Sequence, residues 1–448
     1  MVKDRDGGLL VESLDVRRRW AEYFSELLNV EDEREAIVVP GGGGGQMPVF
    51  GDANNRGISW AEVERAVGEM KEGKAAGMDG CVAEYVKRGG EVVIAWLVRL
   101  LNVCFERGEV PEDWSGACVV PLYKGKGDRL VCSNSRGISL LSVVGKLYGR
   151  ILIGRIRDCT ERVLGEEQCG FRRGRGCTDQ IFTVRQLCEK FLAKGREVYW
   201  AFMDLEKAYD RIDRAALWQV LRMYGVGGKL LKGVQSFYVN SRACVRVGKE
   251  VSEWFPVRVG LRQGCVMSPW LFNLFMDGVV REVYARSMRA GVEFEGGLHV
   301  SQLLFADDTA LVAETEEELR ILVREFDSVC QRRKLKVNAG KSKVMRCSRE
   351  GNVGGLNVHL GGERLEEVES FKYLGSVVAA DGGVEEDVRQ RVNEGCRVMG
   401  VLNGLFKCRE LRMEAKRGLY EGVVVPTVMY GSEAWGLKMK ERNTLNVF

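Results

Sequence analysis

Histidine is nearly missing from this chain: 448 residues contain two, His299 and His359, and neither adjoins a motif. That leaves little room for imidazole acid–base chemistry, so any catalysis falls to other groups. No segment approaches the roughly 18 uninterrupted apolar residues of a membrane-spanning helix. Met1-Val2-Lys3-Asp4-Arg5-Asp6 is charged with no apolar region behind it, which argues against a secretory signal and for an intracellular setting, nuclear or cytoplasmic. Cysteine is plentiful, at 14, but Cys-x-x-Cys zinc spacing is missing; the nearest two, Cys169 and Cys177, are eight apart. Reduced thiols filling core gaps are the expectation. The five-glycine run Gly41 to Gly45 lacks a following Lys-Ser/Thr, so it reads as a linker and not a phosphate loop. No internal repeat stands out.

What is present is a single Asp-Asp pair, Asp307-Asp308, between Leu303-Leu304-Phe305-Ala306 and Thr309-Ala310-Leu311-Val312. The flanking runs suit neighbouring strands of a buried hairpin with the acids at its turn. Adjacent carboxylates looking into one site repel unless a cation sits between them. Mg²⁺, which favours oxygen ligands, is the natural ion, with Mn²⁺ as the other option. A third acid, Asp204, ends the apolar run Val198-Tyr199-Trp200-Ala201-Phe202-Met203, which reads as a central strand. Three acids so placed suit two metal ions and in-line displacement at phosphorus.

The string Ala201-Phe202-Met203-Asp204-Leu205-Glu206-Lys207-Ala208-Tyr209-Asp210 resembles the first palm motif of reverse transcriptases. Val259-Gly260-Leu261-Arg262-Gln263-Gly264-Cys265-Val266-Met267-Ser268-Pro269 resembles the second, and Phe305-Ala306-Asp307-Asp308 the third. Pro121 to Asp128 and Asn134 to Leu141 look like the fingers motifs, and Gln168-Cys169-Gly170-Phe171-Arg172 follows in place. Lys334 to Lys343 and Phe371-Lys372-Tyr373-Leu374-Gly375 are similar to the last palm motif and the primer grip. These signals in the family's order, from about Ser59 to about Trp435, point to the polymerases of LINE-type, non-LTR retrotransposons.

The resemblance implies an α+β right hand of fingers, ferredoxin-like palm and helical thumb. It implies RNA-directed DNA polymerisation from deoxynucleoside triphosphates (dNTP) on an RNA template with a DNA primer. Asp204, Asp307 and Asp308 are then catalytic and metal-binding. Lys124 and Arg136 would take the triphosphate, with Lys126 competing for the same role. Tyr209 would press on the sugar and exclude a 2′-hydroxyl. Gln263 and Gly264 would meet the nucleotide or template base, Lys341 the departing pyrophosphate, and Tyr373, Leu374 and Gly375 the primer. Ser135 departs from the usual aromatic, Ala76 to Gly80 lacks the usual prolines, and Arg173 replaces another. Such elements generally also carry an endonuclease, for which this chain has no segment of sufficient length. A catalytically silent RNA-binding derivative of such an element is the alternative.

Residues 1–50 read as a helix from about Leu14 plus the glycine linker, 51–195 as fingers with an N-terminal extension, 196–380 as palm and 381–448 as thumb. The reverse transcriptase domain runs from about 104 to 378. Ser59-Trp60-Ala61-Glu62 fits a capping box opening a helix that stops near Gly73. Helices are also expected from Leu140 to Ile156, from Glu316 to Cys330 and over Val384 to Leu402; Val257-Arg258-Val259 looks strand-like and Pro426 looks like a helix end. Net charge is only +4, yet Arg332 to Arg349 holds eight Lys or Arg and no acid. That stripe suits a phosphate backbone or a triphosphate as well as it suits a solvated surface.

Overall fold

A computed structural model describes residues 1–30, 55–294, 297–349 and 355–447. The Gly41 to Gly45 run lies outside them. In chain order the principal elements are α1 (Ser13–Leu28), α2 (Trp60–Gly68), β1 (Gly116–Tyr123), β2 (Ser135–Leu140), α3 (Val143–Thr160), α4 (Cys177–Ala193), β3 (Val198–Met203), α5 (Ala208–Arg211) and β4 (Arg242–Val247). There follow α6 (Ser268–Arg286), β5 (Gln302–Phe305), β6 (Asp308–Ala313), α7 (Glu316–Arg332), β7 (Lys343–Cys347), β8 (Glu366–Glu367), β9 (Ser370–Tyr373), β10 (Ser376–Ala379) and α8 (Glu385–Lys407). The mixture of helices with largely antiparallel sheets is α+β.

Two compact units share the chain. The first comprises Met1–Gly165, Lys207–Glu282 and Cys330–Lys336; the second comprises Glu166–Glu206, Val283–Val329 and Val337–Phe448. In the first, β2 pairs antiparallel with β1, and β1 pairs parallel with β4. Helix α1 forms because Val16, Trp20 and Phe24 recur every four residues and bury one face. Helix α2 starts at the capping box foreseen: Ser59 accepts from the Glu62 amide and Glu62 reaches back to the Ser59 amide. It ends at Gly68, earlier than Gly73. Arg155 of α3 donates to Glu62 at 2.8 Å. Burial pushes the Glu62 carboxyl up, but the Arg155 and Ser59 hydrogen bonds prevail and hold it at about 2. Leu140 belongs to β2, and α3 opens only after Ser142, whose hydroxyl accepts from the Gly145 amide.

The second unit is built on a five-stranded sheet in the order β5-β6-β3-β7-β8. The run ending in Asp204 is indeed central: β6 and β7 flank β3, both antiparallel to it. Val198, Trp200 and Phe202 bury one face of β3 together with Val184, Leu187 and Phe191 of α4, while Ala201 and Met203 are buried on the other. A strand covered on both faces carries no polar alternation, which is why this segment is continuously apolar. Phe202 stacks on Phe371 of β9 at 4.1 Å between centroids. Full burial of each such ring contributes about 1.5–3 kcal/mol.

Two further segments differ from expectation. Val257 to Val259 is not strand; the short strand is Phe255–Pro256, paired to β4, and Val257 then donates to Ser241 in a turn-like path. Pro426 does not end a helix. It sits in the first turn of Val425–Val428, where a missing N–H is tolerated, after a wide π turn over Tyr420–Val424. All 14 cysteines are free thiols; nine are buried and Cys396 is exposed. No helix among the described residues is long and apolar enough to cross a membrane.

Candidate active site

The three acids meet at one end of the second unit's sheet. Thr309 lies across from Met203 in the antiparallel register, so the next step sets Asp308 across from Asp204. On the other side of β3, Lys343 lies across from Phe202, and continuing the register brings Lys341 beside Asp204. The Lys341 Nζ is 3.6 Å from Asp204 Oδ2. Asp204 itself is anchored by its backbone: its amide donates to the Ser342 hydroxyl and its carbonyl accepts from the Asn338 amide.

Asp307 stands in the two-residue loop of the β5–β6 hairpin, since Phe305 pairs with Asp308. Ala306, before it, has φ +59, as the primed turns of tight hairpins require. A left-handed alanine costs roughly 1 kcal/mol, which the surroundings must offset. The turn turns Asp307 away from strand alternation while Asp308 begins β6. Both acids are exposed.

Their mutual charge is evident in Asp308. Partial burial, then the Asp307 carboxylate, then the Asp204 carboxylate push its carboxyl up to about 6. Among the described residues, no set of three or more His, Cys, Asp and Glu side chains closes tightly enough to hold an ion without adjustment. Exposure gives the two hairpin acids room to change rotamer. The donor set, hard carboxylate oxygens that repel one another, fits a divalent cation with waters and phosphate oxygens completing its shell.

Tyr373, Leu374 and Gly375 lie in the same unit. Leu374 and Gly375, at φ +47 and +91, form the two-residue turn between β9 and β10, where Tyr430 donates to the Leu374 carbonyl and Arg391 to that of Gly375. The Tyr373 side chain is 2% exposed and packs against Phe202. Burial, followed by the Asp308 charge, drives its phenol well above the ordinary range. Lys372 before it is exposed, and Leu374 and Gly375 in the turn beyond it are half-buried.

The remaining predicted residues sit in the first unit. Lys124 and Arg136 are exposed on the β1–β2 hairpin, where Leu122 lies across from Arg136 and the Lys124 Nζ donates to the Ser133 carbonyl at 2.8 Å. Lys126 is exposed on the same loop. The Tyr209 ring stacks on Phe272 with centroids 4.3 Å apart and ring planes nearly parallel. Gln263 donates to Asp210 at 3.0 Å, and its carbonyl accepts from the Ser139 amide. Gly264 has φ +105, and a Cβ there would lie 2.8 Å from the Ser139 carbonyl oxygen, so no other residue fits.

Sequence reasoning passed over three residues. Asp210 lies next to Tyr209; burial raises its carboxyl to about 6 against the lowering effects of Gln263, Lys207 and Lys124. Arg262, inside the second palm motif, is buried and donates to the Trp114, Ser115 and Phe237 carbonyls and the Ser241 hydroxyl. It is a strut for its loop. Gln168, 1% exposed, reaches the hairpin turn itself. Its position in the Gln168-Cys169-Gly170 string was the available signal.

Within the first unit, Arg332 and Arg333 both pair with Glu282, and Lys334 with Asp213. In the second, Lys343 pairs with Glu366 and Lys341 with Asp204. Much of the basic stripe is therefore neutralised by acids distant in sequence.

A sheet that ends in three coupled carboxylates beside an ammonium is suited to a cation-dependent reaction on a phosphate-bearing substrate. Comparison with known proteins is consistent with this class and narrows it. The chain belongs to the family described as reverse transcriptase (RNA-dependent DNA polymerase), which matches residues 124–378. It is 26% identical over 393 residues to the putative 115 kDa protein in type-1 retrotransposable element R1DM of Drosophila melanogaster, covering 84% of this chain and 36% of that relative. It is 22% identical over 400 residues to the RNA-directed DNA polymerase from mobile element jockey of the same organism, covering 86% and 42%. A retrovirus-related Pol polyprotein from type-1 retrotransposable element R2 of Nasonia vitripennis is 25% identical over 335 residues, covering 71% and 31%. The chain thus spans less than half the length of each of these relatives. Their names bear out the resemblance to non-LTR elements. The family's enzymes work with divalent metal ions, a nucleic-acid template and primer, and deoxynucleoside triphosphates.

Proposed function

We propose that this chain is an RNA-directed DNA polymerase that extends a DNA primer on an RNA template, with Asp204, Asp307 and Asp308 holding Mg²⁺. The observation that carries the reading is the convergence of these carboxylates at adjacent strand ends, with the Asp308 carboxyl raised by partial burial and then by the charges of the other two. A cation bound there supplies neutralisation of the phosphates and activation of the attacking oxygen. The primer 3′-hydroxyl attacks the α-phosphorus in line and pyrophosphate leaves. Lys341, whose Nζ lies 3.6 Å from Asp204, would neutralise or protonate that leaving group.

In the first unit, Lys124 and Arg136 are proposed to bind the triphosphate, Arg136 bidentately. Tyr209, its ring braced by Phe272, would bar a 2′-hydroxyl, and Gln263 and Gly264 would contact the nucleotide or template base. The Leu374–Gly375 turn, backed by Tyr373, would hold the primer end. On this reading the sheet of the second unit is a ferredoxin-like palm, the helices from α8 onward a thumb, and the β1–β2 region fingers.

The test is primer extension with an RNA template, dNTP and Mg²⁺. Product that disappears in Asp307→Ala supports polymerisation. RNA binding without product in the unaltered chain would instead support a silent RNA-binding protein.

A further inference from the structure

We infer that Gln168 is a positioning residue for the carboxylates, acting through the backbone of Ala306; the inference rests on the metal-binding reading of Asp204, Asp307 and Asp308. The segment around Gln168 is laid along β5 like an extra strand: Gln168 bridges Leu304 in parallel, the Cys169 amide donates to the Leu304 carbonyl, and the Leu304 amide donates to the Glu167 carbonyl. From that fixed base the side-chain amide wraps the turn. Its Nε2 donates to the Ala306 carbonyl at 3.3 Å, and its Oε1 accepts from the Ala306 amide at 3.0 Å. The same Oε1 accepts from the Gly170 amide at 2.8 Å.

One primary amide therefore engages both polar groups of the residue that stands in the left-handed conformation, immediately before Asp307. Both peptide planes of Ala306 are fixed, and with them the direction in which the chain enters Asp307 and Asp308. Glycine at 170 is part of the device. A Cβ there would lie 2.4 Å from the Ala306 nitrogen, so any side chain would drive the turn away. Burial of Gln168 at 1% exposure keeps water from competing for these bonds. Repelling acids need such a hold. Without it the turn relaxes to separate them, and a cation must pull them together again at the expense of its affinity.

The experiment is Mn²⁺ titration followed by electron paramagnetic resonance, with primer-extension kinetics and thermal melting on the same proteins. Gln168→Met keeps the volume and removes the amide. It should bind Mn²⁺ about 10-fold more weakly than the parent and lower kcat about 10- to 100-fold, with KM for dNTP within about twofold and melting lowered by only a few degrees. Should that variant fail to fold, Gln168→Met with Ala306→Gly replaces it, because glycine adopts positive φ without strain; weak Mn²⁺ binding by the folded double variant supports the inference. Mn²⁺ binding within twofold of the parent, in either folded variant, overturns it. A parent that binds Mn²⁺ no better than Asp307→Ala overturns the metal-site reading instead, and this inference with it.

Discussion

Asp308→Asn should stabilise the metal-free protein at neutral pH while abolishing its response to metal. A carboxyl moved from 3.8 to about 6 carries at most about 3 kcal/mol of unfavourable interaction in its charged form. Asp308 is exposed, so solvent and salt reduce this to about 1 kcal/mol. The sign is opposite to that of a salt-bridged acid. Between about 6 and the unfolded value near 3.8, the folded chain holds a proton that the unfolded chain lacks. Hence the destabilisation is fully present at pH 7 and fades as pH falls through 6. In EDTA, the parent should gain stability between pH 7 and pH 5, and the variant, already relieved of the charge, should not show this gain. At pH 7 the variant should melt a few degrees higher than the parent. Added Mg²⁺ should raise the parent's melting temperature and leave the variant's almost unchanged. A metal-free variant that melts below the parent at pH 7, or that keeps the parent's rise on acidification, would refute the coupling of the three acids.

Other changes test the surroundings of the site. Lys341→Ala should lower kcat for primer extension by about 100-fold with little change in RNA affinity, read by single-turnover kinetics and a binding titration. Arg262→Ala leaves several buried carbonyl groups without a donor and should cost about 3–5 kcal/mol in urea denaturation; a loss under 1 kcal/mol would contradict its role as a strut. The Glu62 carboxyl, held at about 2, contributes stability that is fully present above about 4.5 and lost as pH falls towards 2. Glu62→Gln should therefore lower stability at pH 7 by about 1–2 kcal/mol after allowance for solvent screening, and flatten the acid limb below pH 4.5.

What the amino-acid order determined by itself was local and periodic. Continuous apolar residues over Val198 to Met203 made a doubly covered strand, and the Leu303 to Val312 pattern made a hairpin with acids at its bend. Ser59 and Glu62 specified a helix start through bonds only three residues apart. These signals survive because neighbours in sequence decide them. The motifs in their order carried the family, and the register of three adjacent strands then brought Asp204, Asp308 and Lys341 side by side.

Only tertiary structure decided matters of partnership. The acid-free stretch from Arg332 to Arg349 is not acid-free in space, because Glu282, Asp213 and Glu366 come to it from distant positions. Tyr373 reads as a contact residue by its motif, yet its ring faces the core, since strand alternation is settled by what packs beneath. The hold on Ala306 was likewise invisible: Gln168 is far from it along the chain, and nothing in a glutamine's neighbours tells where a buried amide will find its hydrogen bonds. Charge compensation, facing and buried polar pairing are long-range choices, made when strands and loops distant in sequence come into contact.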